Sequence, residues 1–312
     1  MPDKILGYIG LGSMGRGMAA NLLASGHEVI VYDVNEKAVQ RLVDKGAISA
    51  KSPKDVASQA DIIMTCLVTS EIVEQVATGP EGILEGVNPG NIYIDMSTID
   101  PDTTRRIGKA MNLAGVEMLD VPVGNGPQEA ADGTLIMIIG GDTSVVESCE
   151  YLLDIMGSEK FYCGPLGNGT TAKIVNNLVT CTIGTLLAEA FTLGRNAGLN
   201  LPMLREIMQR TGARTPQSKT FKNILSEDLG TVLENALHNT NDLPDATENL
   251  KQCLGLMHYA FIHRKIMHKD LGLAARLASS LESSNLVGSA AYQMQDMAMS
   301  MGFSSSTQQS ED

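Results

Sequence analysis

Tryptophan is absent from this sequence and aromatic residues reach only 4%, so core filling falls to aliphatic side chains and the 17 methionines. Cysteine is sparse too. Cys66, Cys149, Cys163, Cys181 and Cys253 are odd in number, scattered, and never spaced as CxxC or alongside histidine. That excludes a disulfide framework and a zinc cluster, and the histidines form no HExxH, so no metal is expected. Basic charge is also short: 23 Lys and Arg stand against 36 Asp and Glu, a net charge of −13 that repels phosphate backbones and anionic lipid. Neither nucleic acid nor membrane is an expected partner. No stretch of about eighteen apolar residues runs unbroken, and glycines stand where a signal sequence has its apolar core. A soluble, cytoplasmic protein is expected.

What remains is ordinary globular composition, 43% apolar and 19% charged, in a chain of 312 residues. At about twice the usual domain length, it is expected to form two domains, residues 1–165 and 166–302, with 303–312 a flexible tail. In the first, apolar runs at 4–9, 28–32, 61–67, 91–96, 116–123 and 134–141, with a short last one near 160–163, are read as strands. Between them lie helical stretches up to Ala24, over Asn35–Lys45, from Glu71, from Asp102 and over Ser144–Met156. Such alternation predicts an α/β, doubly wound parallel sheet with helices on both faces. Beyond Gly169, Ala, Leu and Met recur at helical spacing, which predicts an all-α domain entered by one long interdomain helix, Thr170–Ala197. The polar segment Glu227–Asn249, with Pro244, is read as helix plus exposed loop.

Gly10, Gly12 and Gly15 spell GxGxxG directly after the first strand and open the first helix. Glycines there permit a tight turn and close backbone approach, while the helix N-terminus faces a pyrophosphate. Asp33 ends the second strand, eighteen residues beyond Gly15, where a carboxylate bonds the adenosine ribose hydroxyls. A dinucleotide follows. Val34 and Asn35 come next, with no cation for a 2′-phosphate that Asp33 would repel, so NAD is expected over NADP.

Five segments in order, GYIGLGSMGRGMAANL, IDMSTIDP, DVPVGNGPQEAADGTL, GPLGNGTTAKIVNNL and HKDLGLA, span almost the whole chain. Through them it resembles the β-hydroxyacid dehydrogenase family, the group that includes 3-hydroxyisobutyrate dehydrogenase, tartronate semialdehyde reductase and sulfolactaldehyde reductase. The resemblance implies NAD-dependent interconversion of a small 3-hydroxy acid and its semialdehyde by a homodimer or homotetramer. It places cofactor contacts at Ser13, Met14, Asp33, Leu67, Val68 and Thr98, and the catalytic lysine at Lys173. Asn177 orients that lysine and the substrate, and Lys269 reaches toward the nicotinamide and the substrate. Elementary chemistry agrees, because a desolvated lysine both takes and returns a hydroxyl proton, and its ammonium steadies a developing oxyanion. Residues four apart, like Lys173 and Asn177, share one helix face.

Segment Pro122–Leu135 leaves a strand's carboxyl end, where such sheets hold ligands, and is read as the substrate cradle. Family members with PVSGG have Ser and two Gly where this chain has Gly124, Asn125 and Gly126. The serine hydroxyl is lost, the backbone amides remain, Pro127 stiffens the loop, and Asn125 is left to read the substrate's polar head. The sulfonate-reducing members carry Arg at that position, which favours a carboxylate head here and keeps 3-sulfolactaldehyde reduction as the alternative. A non-catalytic NAD-binding scaffold ranks lower because Lys173 and Asn177 are retained, and imine reduction because Lys173 and Asp33 are. Asn176 stands where 6-phosphogluconate dehydrogenase has His, which disfavours a sugar phosphate. Arg214 and Lys219 are candidates for an anion contact, with solvated positions the simpler reading.

Overall fold

The computed structural model describes residues 4–215 and 264–300. Lys219, Cys253, the polar segment read over 227–249 and the tail at 303–312 lie outside the described residues. The chain divides into two compact units, residues 1–173 and 174–312.

The first unit is built on a six-stranded sheet, every neighbouring pair parallel. Its order is β3 (Ile48–Ser49), β2 (Val29–Tyr32), β1 (Leu6–Ile9), β4 (Ile62–Thr65), β5 (Ile92–Asp95) and β6 (Glu117–Asp120). Chain order reverses at β1, which opens a crevice at the carboxyl ends of β1 and β4. Period-two alternation feeds two cores: Leu6, Tyr8, Val29, Val31, Ile62 and Met64 face one side, and Ile9, Ile30, Ile63 and Tyr93 the other. Strands buried on both faces must read as continuous apolar runs, and these do.

Helices α1 (Gly15–Ala24), α2 (Glu36–Val43), α3 (Pro53–Gln59), α4 (Ser70–Thr78) and α5 (Pro101–Leu113) connect the strands. Asn35, Ser52, Thr69 and Asp100 cap α2 to α5 by accepting a backbone N–H from the first turn. Helix α1 alone of these five starts without a side-chain cap, at Met14. β3 and α3 lie between the expected helix at Lys45 and the next strand; with two exposed residues, β3 carries no periodic signal.

The run 116–123 is not one strand, and the last strands do not extend the parallel sheet. The chain leaves β6 at Val121 and Pro122, a residue with no N–H for a ladder. It then enters β7 (Val123–Gly124), which pairs antiparallel with β8 (Leu135–Ile139), itself parallel to β9 (Gly157–Tyr162), in a separate three-stranded sheet. Helices α6 (Pro127–Asp132) and α7 (Thr143–Met156) belong to this part.

Helix α8 (Asn168–Asn196) runs from the first unit into the second, which adds α9 (Leu201–Arg210), α10 (Arg264–Ser280) and α11 (Leu286–Ser300). Among the described residues α8 is the helix long and apolar enough to cross a membrane. One side of it is core: Ile174 packs with Leu273 and Ala274, and Cys181 with Leu271 and Ala291. Asn177, Thr185 and Thr192 of α8 are buried too.

Candidate active site

The three motif glycines differ in why they are glycine. Gly10 has φ +94°, and a Cβ there would run into the Cys66 carbonyl; a Cβ on Gly15 would run into the Gly10 carbonyl. Both are demanded by the turn itself. A Cβ on Gly12 would meet no protein atom within 4 Å, so packing within the fold does not demand its bareness. Beside it Ser13 is exposed, Met14 half-buried, and the uncapped start of α1 faces the same way as the strand ends. Asp33 is tied to this turn: Leu11 N–H donates to Oδ2 at 2.6 Å and Asn35 N–H to Oδ1 at 2.8 Å. These residues fit the adenosine and pyrophosphate of NAD, with a fixed acceptor, an open backbone and free helix-end dipoles.

At the ends of β4 and β5, Leu67 N–H donates to Ser97 Oγ at 2.9 Å, Val68 is exposed and Thr98 half-buried. Beneath lies a buried polar network that the sequence reading missed. Thr65 Oγ1 donates to Asp95 Oδ1 at 2.7 Å and lies 2.9 Å from Tyr93 Oη, while Ser97 N–H reaches the same carboxylate oxygen at 3.1 Å. Burial pushes the Asp95 carboxyl up to about 6, against these hydrogen bonds and with the help of the Asp120 charge. Asp95 Oδ2 has no partner. Asp120, its register partner on β6, is also raised by burial and held down by donors from Gly167 and Thr170. The available signal was an acid closing an apolar strand, IYID and EMLD.

The Pro122–Leu135 segment is more than a loop. Asn125 is exposed at φ +74°, a left-handed conformation that asparagine tolerates better than most residues. Gly126 N–H then donates to Glu129 Oε2 at 3.0 Å. Pro127, read from sequence as a loop stiffener, is instead the first residue of α6, where a missing N–H costs nothing. A Cβ on Gly124 would lie 3.0 Å from Ile136 Cβ, so Ile136 crowds the place where PVSGG members carry serine. Helix α6 lies on α1, close enough that a Cβ on Gly17 would sit 2.7 Å from the Ala130 carbonyl carbon. Asn21 Nδ2 donates to Ala130 O at 2.9 Å across that contact.

On α8, Lys173 is half-buried and Asn177 buried. Asn177 Nδ2 donates to Asp270 Oδ2 at 2.7 Å, and Lys269 Nζ lies 3.2 Å from Asp270 Oδ1. A carboxylate accepts only, so Asp270, 2% exposed, dictates which end of the Asn177 amide points away from it. The second unit thus gathers Asn177 and Lys269 around one acid that the sequence reading did not single out. The first gathers Gly10, Gly12, Ser13, Met14, Gly15, Asp33, Leu67, Val68 and Thr98 along the carboxyl edge of the sheet. Arg214 is exposed.

Comparison with known proteins gives a consistent picture. The family described as the NAD binding domain of 6-phosphogluconate dehydrogenase matches residues 5–164. The chain is 36% identical over 301 residues to the mitochondrial 3-hydroxyisobutyrate dehydrogenase of Homo sapiens, covering 96% of this chain and 83% of that one. It is 34% identical over 299 residues to 3-sulfolactaldehyde reductase of Escherichia coli, covering 95% and 91%. Among solved structures, Mycobacterium tuberculosis 3-hydroxyisobutyrate dehydrogenase with L-serine superposes at a TM-score of 0.74 and 26% identity, covering 96% of this chain and 94% of that one.

Proposed function

The chain belongs to the β-hydroxyacid dehydrogenase family, and from that membership we propose that it interconverts a small 3-hydroxy acid and its semialdehyde, with NAD. The observation that carries the reaction class is the placement of Lys173 and Asn177 one turn apart on α8, the Asn177 amide fixed by Asp270.

When bound, the nicotinamide supplies the hydride acceptor or donor at the substrate's β-carbon. The chain's residues supply the rest. Gly12 and the start of α1 hold the pyrophosphate, and Asp33 takes the ribose hydroxyls and repels a 2′-phosphate. Lys173 Nζ takes the substrate hydroxyl proton in oxidation and returns it in reduction. Asn177 orients the substrate oxygen, the exposed Asn125 of the Gly124–Gly126 loop holds the acid head, and Lys269 contacts cofactor and substrate. A carboxylate head is supported by the neutral Asn125; a sulfonate head is the second reading, supported by the Escherichia coli relative.

The test is NADH formation and consumption against 3-hydroxyisobutyrate, 3-hydroxypropionate, glycerate, serine, threonate and dihydroxypropanesulfonate, with their semialdehydes, using NAD and NADP in parallel. Turnover with a carboxylate-headed member and NAD is expected. Lys173→Ala should lower kcat by about 10²- to 10⁴-fold with NADH binding retained. Unchanged turnover in a folded variant would remove Lys173 from the mechanism.

A further inference from the structure

Helix α8 begins unlike the capped helices of the sheet. The residue before it, Gly167, has no side chain, and Asn168 turns away, donating from Nδ2 to Cys163 O at 2.9 Å. The first N–H groups of a helix need acceptors, and here they come from a distant strand. Gly167 N–H donates to Asp120 Oδ1 at 2.8 Å; Thr170 donates to Oδ2 through N–H at 2.6 Å and through its hydroxyl at 2.8 Å. The helix is pressed onto the strand ends to achieve this, since a Cβ on Gly169 would lie 2.6 Å from Ile138 O and 2.7 Å from Asp120 O. Asp120 is fully buried, so water cannot replace it.

Asp120 therefore stands at a fork. Along the chain it comes four residues before Gly124; through its carboxylate it grips the turn immediately before Lys173. We infer that Asp120 is a positioning residue: its carboxylate clamps the first turn of α8 to the end of β6 and so sets where Lys173 stands relative to the Gly124–Gly126 loop. The inference rests on Lys173 as the proton-handling group. Both oxygens are in use and three donors converge, so asparagine, with one acceptor oxygen and an NH₂ facing an N–H, breaks the clamp without changing its size.

In the full-length protein, Asp120→Asn should lower kcat about 100-fold, the scale of an ångström-sized misplacement. NADH affinity should stay unchanged. Amide hydrogen exchange should speed up at Gly167 and Thr170–Lys173 and hold steady in β1 to β5. Thr170→Val, which removes only the hydroxyl donor, should show the same split at about fivefold in kcat, the worth of one ordinary hydrogen bond. It decides the matter on the same criteria if Asp120→Asn fails to fold. Equal losses of kcat and NADH affinity would make Asp120 a general stability cap, and unchanged kcat with faster exchange would show a clamp that positions nothing; either overturns the inference. If the wild type turns over no substrate, the functional reading fails separately, and the clamp is then judged by exchange alone, where unchanged protection refutes it.

Discussion

Gly10 and Gly12 are two residues apart in one turn, yet the structure asks different things of them. Gly10 is held at φ +94° against the Cys66 carbonyl, so Gly10→Ala should destabilise the first unit by about 1–3 kcal/mol. Gly12→Ala adds a methyl to open space; unfolding should stay within about 0.5 kcal/mol of wild type, while the Kd for NADH rises about tenfold, near 1.4 kcal/mol. Thermal unfolding and NADH fluorescence titration of both variants separate the cases, and equal destabilisation would make Gly12 another steric glycine. At this scale the sequence was legible where a residue broke its surroundings: glycines after an apolar strand, an acid at Asp33, a lysine in an apolar helix. Asp95 and Asp120 close apolar strands as Asp33 does, but the sequence carries no sign that they and Asp270 are buried, and only the partners Thr65, Thr170 and Asn177 show it.

Among elements, periodicity located five helices of the first unit, α1, α2, α4, α5 and α7, and the α8 helix read as Thr170–Ala197 is found at Asn168–Asn196. It failed where one apolar run serves two sheets. Residues 116–123, VEMLDVPV, have Asp120 and Pro122 where the two strands meet, and an acid followed by a residue with no N–H was the hint that β6 and β7 part company there. It also failed at α6, whose six residues are too few for a helical period. That short helix matters because it carries the far side of the Gly124–Gly126 loop and rests on α1 through Gly17. A methyl at Gly17 would meet Ala130 and Ala131 backbone, and α1 has its other side buried on the sheet core through Met18, Ala19 and Leu22. The displacement should fall on α6. Gly17→Ala is therefore expected to cost about 1–3 kcal/mol of stability and to raise KM for the hydroxy acid more than KM for NAD, by steady-state kinetics with each substrate varied. A change in KM for NAD alone would mean that α1 yielded instead.

For the molecule as a whole, 36 acids against 23 bases make pH a strong variable, and one acid acts opposite to the usual surface carboxylate. Asp95 is desolvated in the floor of the sheet edge, its carboxyl raised to about 6 with Oδ2 unpaired and Asp120 beside it. A folded-state value above the unfolded one, about 3.9, means that the fold favours the protonated form. Its contribution to stability is complete below about pH 4 and is lost as pH rises through about 6. Two units of displacement correspond to about 3 kcal/mol between the acid and neutral limits. Asp95→Asn keeps the acceptor used by Thr65 and Ser97 and removes the titration; its new NH₂ group in the place of Oδ2 changes stability by an amount that does not depend on pH. The stability difference between variant and wild type should therefore shift in the variant's favour from pH 4 to pH 7 and be flat above, whatever its absolute sign. Thermal unfolding of both proteins at pH 4, 5, 6, 7 and 8 measures it, each kcal/mol moving the midpoint by about 2–4 °C for a unit of this size. A difference constant across that range would mean that Asp95 is ionised in the folded protein throughout, with its charge already balanced by the hydroxyls and amide around it.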